Sequence, residues 1–191
     1  IAPLDAENGY ELAGAYENGT TVQSYGGGVC QVSTTLYNAI LYAELNVTQR
    51  SNHSMLVHYV DPSRDAAIAG TYKDLKFQNS TDAPIYIEGY TSGGIVYFTI
   101  YGEETRLSNR KVEYQSETVS QDTPPVQIAA AAAPVGYVAV TQKPNVGQSA
   151  KLWKVVTIDG VEQEREVVNT SKYSSSPKII AVGNVSDDPN A

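Results

Sequence analysis

An α+β fold is what the sequence predicts: one helix packed on an antiparallel sheet in a first domain, residues 1–107, then a smaller, elongated all-β domain over 108–183 and a solvated tail at 184–191. Three observations predict it. Residues 29–45 carry helical spacing and are followed by several β-rich runs without another helical pattern, the order in which a single helix covers one face of an antiparallel layer. Beyond Leu107 the helical period disappears. Asp159-Gly160 then separates two β-rich runs, the strongest short hairpin signal in the chain.

The helix is read from Val32, Leu36, Ala39, Ile40 and Ala43, three and four residues apart on one apolar face. Cys30, Ser33 or Thr34, and Tyr37 fall on a neighbouring face, turned from the deepest packing. Gly26, Gly27 and Gly28 lead into the first turn with backbone freedom that other residues lack. "SMLVHYV" alternates and is rich in β-formers, "AAIAG" and "DLKF" follow, and "PIYIEGY" and "IVYFTIY" flank "TSGG" as a hairpin. In "ETVSQDTPPVQIAAAAAPVG" the alanine run is too short to hold a helix and stops at Pro134, so it reads as an extended connection. "KLWKVVTIDGVEQEREVV" supplies two strands, and "PKIIAVG" closes the second module.

Hydrophobic residues make up 41% of the chain and charged residues 18%, a globular balance, and no apolar run approaches a membrane span. Any membrane anchor therefore lies outside this portion. Ile1 is not a methionine and no basic-then-apolar leader follows it, so the chain reads as part of a longer protein. A formal charge of −8 without any lysine or arginine block argues against nucleic acid as a partner. Tyrosine outnumbers phenylalanine 14 to 2, which gives aromatic surface with polar tips, suited to half-buried strands and to sugar or peptide ligands. One cysteine cannot form an internal disulfide or a cysteine metal cage, and no cofactor or metal site is read.

That lone cysteine sits at the start of the helix, in "YGGGVCQVSTTLYNAIL". Free cysteines are commonly buried and inert. Here the first helical turn offers unpaired amides and the positive end of the macrodipole, which favour the thiolate and lower the thiol from its ordinary pKa of ~8.5. The same amides, around Val29 to Gln31, are placed to hold an oxyanion. A nucleophilic thiol needs a base, and only His53 and His58 exist. An odd number of residues apart in a strand, they face opposite sides of the sheet, and His53, beside the polar "RSN", is favoured. Asp65 and Asp74 are the candidates to orient its ring. If "DPSR" is a tight hairpin, Asp74 returns opposite His53 while Asp65 lies on the order of 20 Å along the strand.

"GGGVCQVSTTLYNAILYAELNV", "RSNHSMLVHYV", "SRDAAI" and "DLKFQNSTDAPIYI" together resemble the VanW domain, a family of Gram-positive cell-envelope proteins named from glycopeptide-resistance clusters. The likeness covers about the first hundred residues. The second module, with "IDGVEQEREVV" and "PKIIAVG", is similar to the G-five domain, an all-β extracellular module often attached to wall enzymes. The resemblance implies an extracellular, wall-associated protein and L,D-transpeptidation of peptidoglycan, with Cys30 as nucleophile and His53 as base. The family motif, written here Ser63-Arg64-Asp65, implies Asp65 as the third partner, against the hairpin argument for Asp74; serine stands where the family more often has glycine. Gly28, Gln31, Ser33, Tyr37 and Arg64 are the expected substrate-binding residues, Arg64 for a substrate carboxylate. Stem peptides, and glycan strands for the second module, are the expected partners. Two rivals use the same residues: a cysteine peptidase that trims stem peptides, and a non-catalytic wall-binding protein.

Overall fold

The computed structural model describes residues 3–17 and 20–185; among them it has one helix and twelve strands, so the chain is mostly β. The α+β expectation for the first domain is thereby overturned. Its strands form three separate two-stranded pairs, and no continuous antiparallel sheet lies beneath the helix. Strands β1 (Leu12–Glu17) and β2 (Thr20–Tyr25) form a hairpin. Short β3 (Asn46–Gln49) and β4 (Lys76–Gln78) pair antiparallel, and β5 (Tyr86–Ser92) and β6 (Ile95–Tyr101) form the hairpin around Gly93 and Gly94.

The β-rich run at residues 54–60 and the "AAIAG" run are not strands, and for the second the reason is where its backbone groups go. Side chains and single loop carbonyls take the donors of this region. His53 N–H donates to Asp65 Oδ2, Ser63 N–H to the Tyr173 hydroxyl, Ala66 N–H to Thr34 Oγ1, Ala67 N–H to the Ser51 carbonyl and Ile68 N–H to Cys30 Sγ. Around "AAIAG", amides spent this way are not left for a ladder; residues 54–60 show no strand pairing.

The second module contains two three-stranded sheets. In the first, β10 (Gly147–Ile158) lies between β7 (Arg110–Asp122) and β11 (Val161–Tyr173), all antiparallel. Asp159 and Gly160, with φ of 52° and 80°, make the β10–β11 turn, which needs left-handed backbone at both positions. In the second sheet β12 (Lys178–Val185) runs parallel to β8 (Val126–Pro134) and antiparallel to β9 (Val138–Gln142). The alanine run is thus strand β8. Of the expected tail, Asn184 and Val185 belong to β12, and residues 186–191 lie outside the described residues.

Helix α1 (Val29–Tyr42) lies against β6 of the first module and also buries side chains against the β7–β10–β11 sheet of the second. Tyr37 and Leu41 form one buried cluster with Ala66, Tyr114 of β7 and Leu152 of β10, and Val112 and Val168 pack against it. The helix is also rotated from the expected face: Ser33, Thr34, Tyr37, Ile40 and Leu41 are buried, whereas Val32 is 42% exposed. Burying the three hydroxyls is tolerable because each has a partner, Ala66 for Ser33 and Thr34 and Asn169 for Tyr37. At the helix end Glu44 receives Arg106, Arg110 and Lys154 at 3.0, 2.5 and 3.1 Å. Burial alone raises the Glu44 carboxyl, but these three cations outweigh it and hold its pKa at about 2.

Candidate active site

Cys30 is the second residue of α1, reached through a turn built from glycine. Gly28 caps the helix at φ 96°, in the left-handed region, and a Cβ on Gly27 would stand 2.6 Å from the Ala13 Cβ, so β1 runs directly against the turn. The Val29 amide donates to the Gly26 carbonyl (3.0 Å) and the Gln31 amide to the Gly28 carbonyl (2.9 Å). The expected oxyanion donors at Val29 and Gln31 are therefore already engaged. The Cys30 amide is the one of the three without a backbone acceptor among the described residues.

The structure brings Cys30, His53 and Asp65 together. The Cys30 sulfur meets Ile68, donating to its carbonyl at 3.5 Å and lying 3.4 Å from its N–H, and the His53 ring is near enough to couple to the thiol electrostatically. His53 Nδ1 is 2.7 Å from Asp65 Oδ2, which leaves Nε2 for other partners; the Tyr59 hydroxyl lies 3.5 Å from it. Asp65 is fully buried. Its Oδ2 also accepts the His53 amide, and its Oδ1 accepts Arg50 Nη2 at 2.7 Å and the Tyr173 hydroxyl at 2.6 Å. Asp74 does not reach the ring: its Oδ1 accepts the Leu75 amide and its side chain is exposed. The hairpin geometry behind Asp74 fails because residues 54–60 are not a strand and the chain turns back at Pro62-Ser63.

Electrostatics follow from these contacts. Burial pushes the Cys30 thiol up, but the His53 hydrogen bond, the Ile68 backbone and the charges of His53 and Lys73 outweigh it and hold the thiol below its ordinary value. Burial pulls the His53 ring down, yet Asp65 and Cys30, through hydrogen bonds and charge, raise it to about 9. For Asp65, burial is outweighed by the His53 ring and amide, Tyr173 and Arg50, so it stays ionised. The two groups lean towards a thiolate–imidazolium pair, a form able to attack a carbonyl and return a proton to a leaving group.

The remaining expected residues divide. Arg64 donates through Nε to Asn38 Oδ1 at 2.8 Å and lies over the Tyr42 ring. With Gln31, Asn38 and Tyr59 it borders a groove of about 730 Å³ closed on one side by residues 94–96 of the β5–β6 hairpin. A second groove of about 490 Å³ passes Gly28, Val29 and the other side of Gln31. Cys30 lines neither, but sits between them in sequence on the first turn. Ser33 and Tyr37 are corrections: Ser33 Oγ donates to the Ala66 carbonyl at 2.5 Å, and Tyr37, 1% exposed, accepts Asn169 Nδ2 at 2.7 Å, so neither faces a substrate. Exposed His58 borders the larger groove.

Residues that the sequence did not point to complete the site. Arg50 Nη1 donates to Ser171 Oγ at 2.8 Å and to Asn169 Oδ1 at 3.3 Å, and its Nε to the Asp65 carbonyl at 2.6 Å. Lys73 Nζ donates to the Asn52 carbonyl at 2.9 Å. The one available signal was the alternation Asn169, Ser171, Tyr173, a polar face on a strand. Among the described residues no group of three His, Cys, Asp or Glu could hold a metal ion, and no helix is long and apolar enough to cross a membrane.

Comparison with known proteins gives the family. A model described as VanW like protein matches residues 1–101, and the G5 domain model matches residues 109–185. The uncharacterized protein YoaR of Bacillus subtilis strain 168 is 40% identical over 96 residues, 50% of this chain and 32% of that protein. The vancomycin B-type resistance protein VanW of Enterococcus faecalis strain ATCC 700802 / V583 is 32% identical over 93 residues, 46% of this chain and 34% of that protein. The chain thus spans about a third of the length of these curated relatives. Among solved structures, the IgA1 protease G5 domain aligns with 39% of this chain and 92% of its own at 25% identity and a TM-score of 0.28. HP0197-G5 aligns with 40% of this chain and 100% of its own at 15% identity and a TM-score of 0.21. With its first match extending over more than half of its length, the chain belongs to the VanW-like protein family, its VanW domain followed by a G5 domain.

Proposed function

We propose that this chain works in the Gram-positive cell envelope as a cysteine acyltransferase of the L,D-transpeptidase type, acting on peptidoglycan stem peptides. The observation that carries the reading is the linked set Cys30, His53 and Asp65, with a fully buried carboxylate behind the imidazole. Family membership and the G5 domain support the envelope setting.

The Cys30 thiolate attacks the carbonyl that joins the third residue of a stem, a diaminoacid, to its terminal D-alanine. The Cys30 amide, which has no backbone acceptor among the described residues, stabilises the oxyanion. Protonated His53 gives its proton to the leaving amine, D-alanine departs, and a thioester remains on the sulfur. Neutral His53 then takes a proton from the side-chain amine of a neighbouring stem as that amine attacks the thioester, which forms the cross-link and restores the ion pair. Arg64, at the groove, pairs with a stem carboxylate, and Gly28 and Gln31 border the approaches.

The test is incubation of the purified chain with disaccharide tetrapeptides, followed by mass analysis of products and of the protein. Cross-linked dimers and a thioester on Cys30, both lost in Cys30→Ala, support transfer. Free tripeptides alone indicate a peptidase, and neither product nor adduct removes the enzymatic reading. The G5 match favours a second reading, wall binding without turnover. In that case Cys30→Ala sediments with purified sacculi as well as the intact chain does, and no adduct forms on either.

A further inference from the structure

We infer that Tyr173, together with Asn169 and Ser171, positions Asp65 for the Cys30–His53 pair, so that one face of β11 in the second module is a working part of the site in the first. The inference rests on the cysteine chemistry proposed above.

Residues 169, 171 and 173 alternate along β11 and therefore project from the same face of the strand. That face meets the loop that carries Asp65. Tyr173 is 1% exposed, and its hydroxyl has two partners with fixed roles. The Ser63 amide donates to it at 2.7 Å, so the hydroxyl's own proton is directed to Asp65 Oδ1 at 2.6 Å. Burial and the adjacent Asp65 carboxylate raise the phenol to about 12, which keeps that proton in place. Ser171 and Asn169 act one step further out, on Arg50. They receive its Nη1, while its Nη2 binds Asp65 Oδ1 and its Nε the Asp65 carbonyl. Asn169 closes the loop by donating through Nδ2 to the Ser63 carbonyl at 3.1 Å.

Both oxygens of Asp65 are thereby assigned. Oδ2 faces His53, and Oδ1 is held by donors that depend on β11. Rotation of the carboxylate would break at least two charge-assisted hydrogen bonds, so the ring of His53 meets a fixed acceptor. A merely structural contact between modules would not need to converge on the one carboxylate that orients the base.

The test is the pH profile of Cys30 alkylation by iodoacetamide in the full chain, intact and as Tyr173→Phe, with thermal melts fixing the folded fraction at each pH. The phenyl ring keeps the packing and removes only the hydroxyl. The midpoint of the variant is expected to move up by about one unit, seen as a roughly tenfold lower rate near pH 6 and an unchanged rate near pH 10. A profile that superimposes on that of the intact chain overturns the inference and leaves the cysteine reading standing. An intact chain whose thiol titrates at its ordinary value overturns both. If Tyr173→Phe does not fold, Ser171→Ala takes its place: a smaller upward shift is expected, and an unmoved midpoint rejects the role of β11.

Discussion

His53 meets Asp65 twice at one oxygen, through ring Nδ1 and through its own backbone amide, each 2.7 Å from Oδ2. The double contact fixes both the position of the residue and the plane of its ring. With Nδ1 committed, Nε2 is the nitrogen left for chemistry. The sulfur of Cys30 then competes with solvent and Tyr59 for an imidazole that cannot turn away.

Thiol reactivity tests this arrangement directly. The pair is expected to exist as thiolate and imidazolium from below the ordinary thiol pKa of ~8.5 up to the His53 value of about 9. The intact chain should therefore alkylate at about pH 6 to 7 far faster than a free thiol of that ordinary pKa. His53→Ala removes the hydrogen bond and the positive charge while burial still opposes ionisation, so the midpoint shifts upward and the rate near pH 6 falls about tenfold or more. A variant with an unshifted midpoint would show that the imidazole does not govern the sulfur.

Asp65 and Asp74 separate in a stability measurement. Asp65→Asn leaves Arg50, whose side chain is only 7% exposed, without its counter-charge, a loss of about 3–5 kcal/mol in urea denaturation. Asp74, exposed and 3.9 Å from Lys76, should change stability by no more than about 0.5 kcal/mol when replaced by Asn. Equal effects would contradict the burial that distinguishes them.

The contrast also shows how much the sequence discloses. Helix α1 was readable because its apolar spacing is local, and the hairpins at residues 93–94 and 159–160 because turn chemistry is local. The pairing of His53 with Asp65 was readable from a motif and misread from strand geometry, since the β-rich run at residues 54–60 is not a strand and the chain turns back at Pro62-Ser63. Ser33 and Tyr37 were assigned to the wrong face because hydroxyl groups look exposed until their buried partners are known. Tyr173 lies 108 residues from Asp65, and nothing local links them.

Ser63 explains why glycine suits this motif. Its φ of 68° is left-handed, it is fully buried, and its Oγ has no hydrogen-bond partner among the described residues. Left-handed backbone costs a non-glycine residue roughly 1–2 kcal/mol, and an unpaired buried hydroxyl adds to that cost. Glycine gives back part of the gain through greater freedom in the unfolded chain. Ser63→Gly should therefore stabilise the protein by about 1 kcal/mol, read as a higher urea midpoint at unchanged slope. A lower midpoint would mean that the Ser63 Cβ contributes packing that outweighs its strain.

The shared core predicts how the chain unfolds. Tyr37 and Leu41 of the first module are buried with Tyr114 and Leu152 of the second, and Tyr114 donates its hydroxyl to the Leu41 carbonyl. Neither half encloses that cluster alone, so calorimetry should record one transition, with van't Hoff and calorimetric enthalpies in agreement. Glu44 supplies a pH handle on the same junction. Its carboxyl is depressed from 4.5 to about 2 by Arg110, Arg106 and Lys154 against the opposing effect of burial. A depressed carboxylate contributes stability that is fully present above the unfolded value and lost as pH falls through the folded one. Glu44→Gln should accordingly melt below the intact chain at pH 7, with the gap shrinking from about pH 4.5 and closing near pH 2. Two separable transitions, or a gap indifferent to acid, would show that the modules stand independently and that Glu44 does not join them.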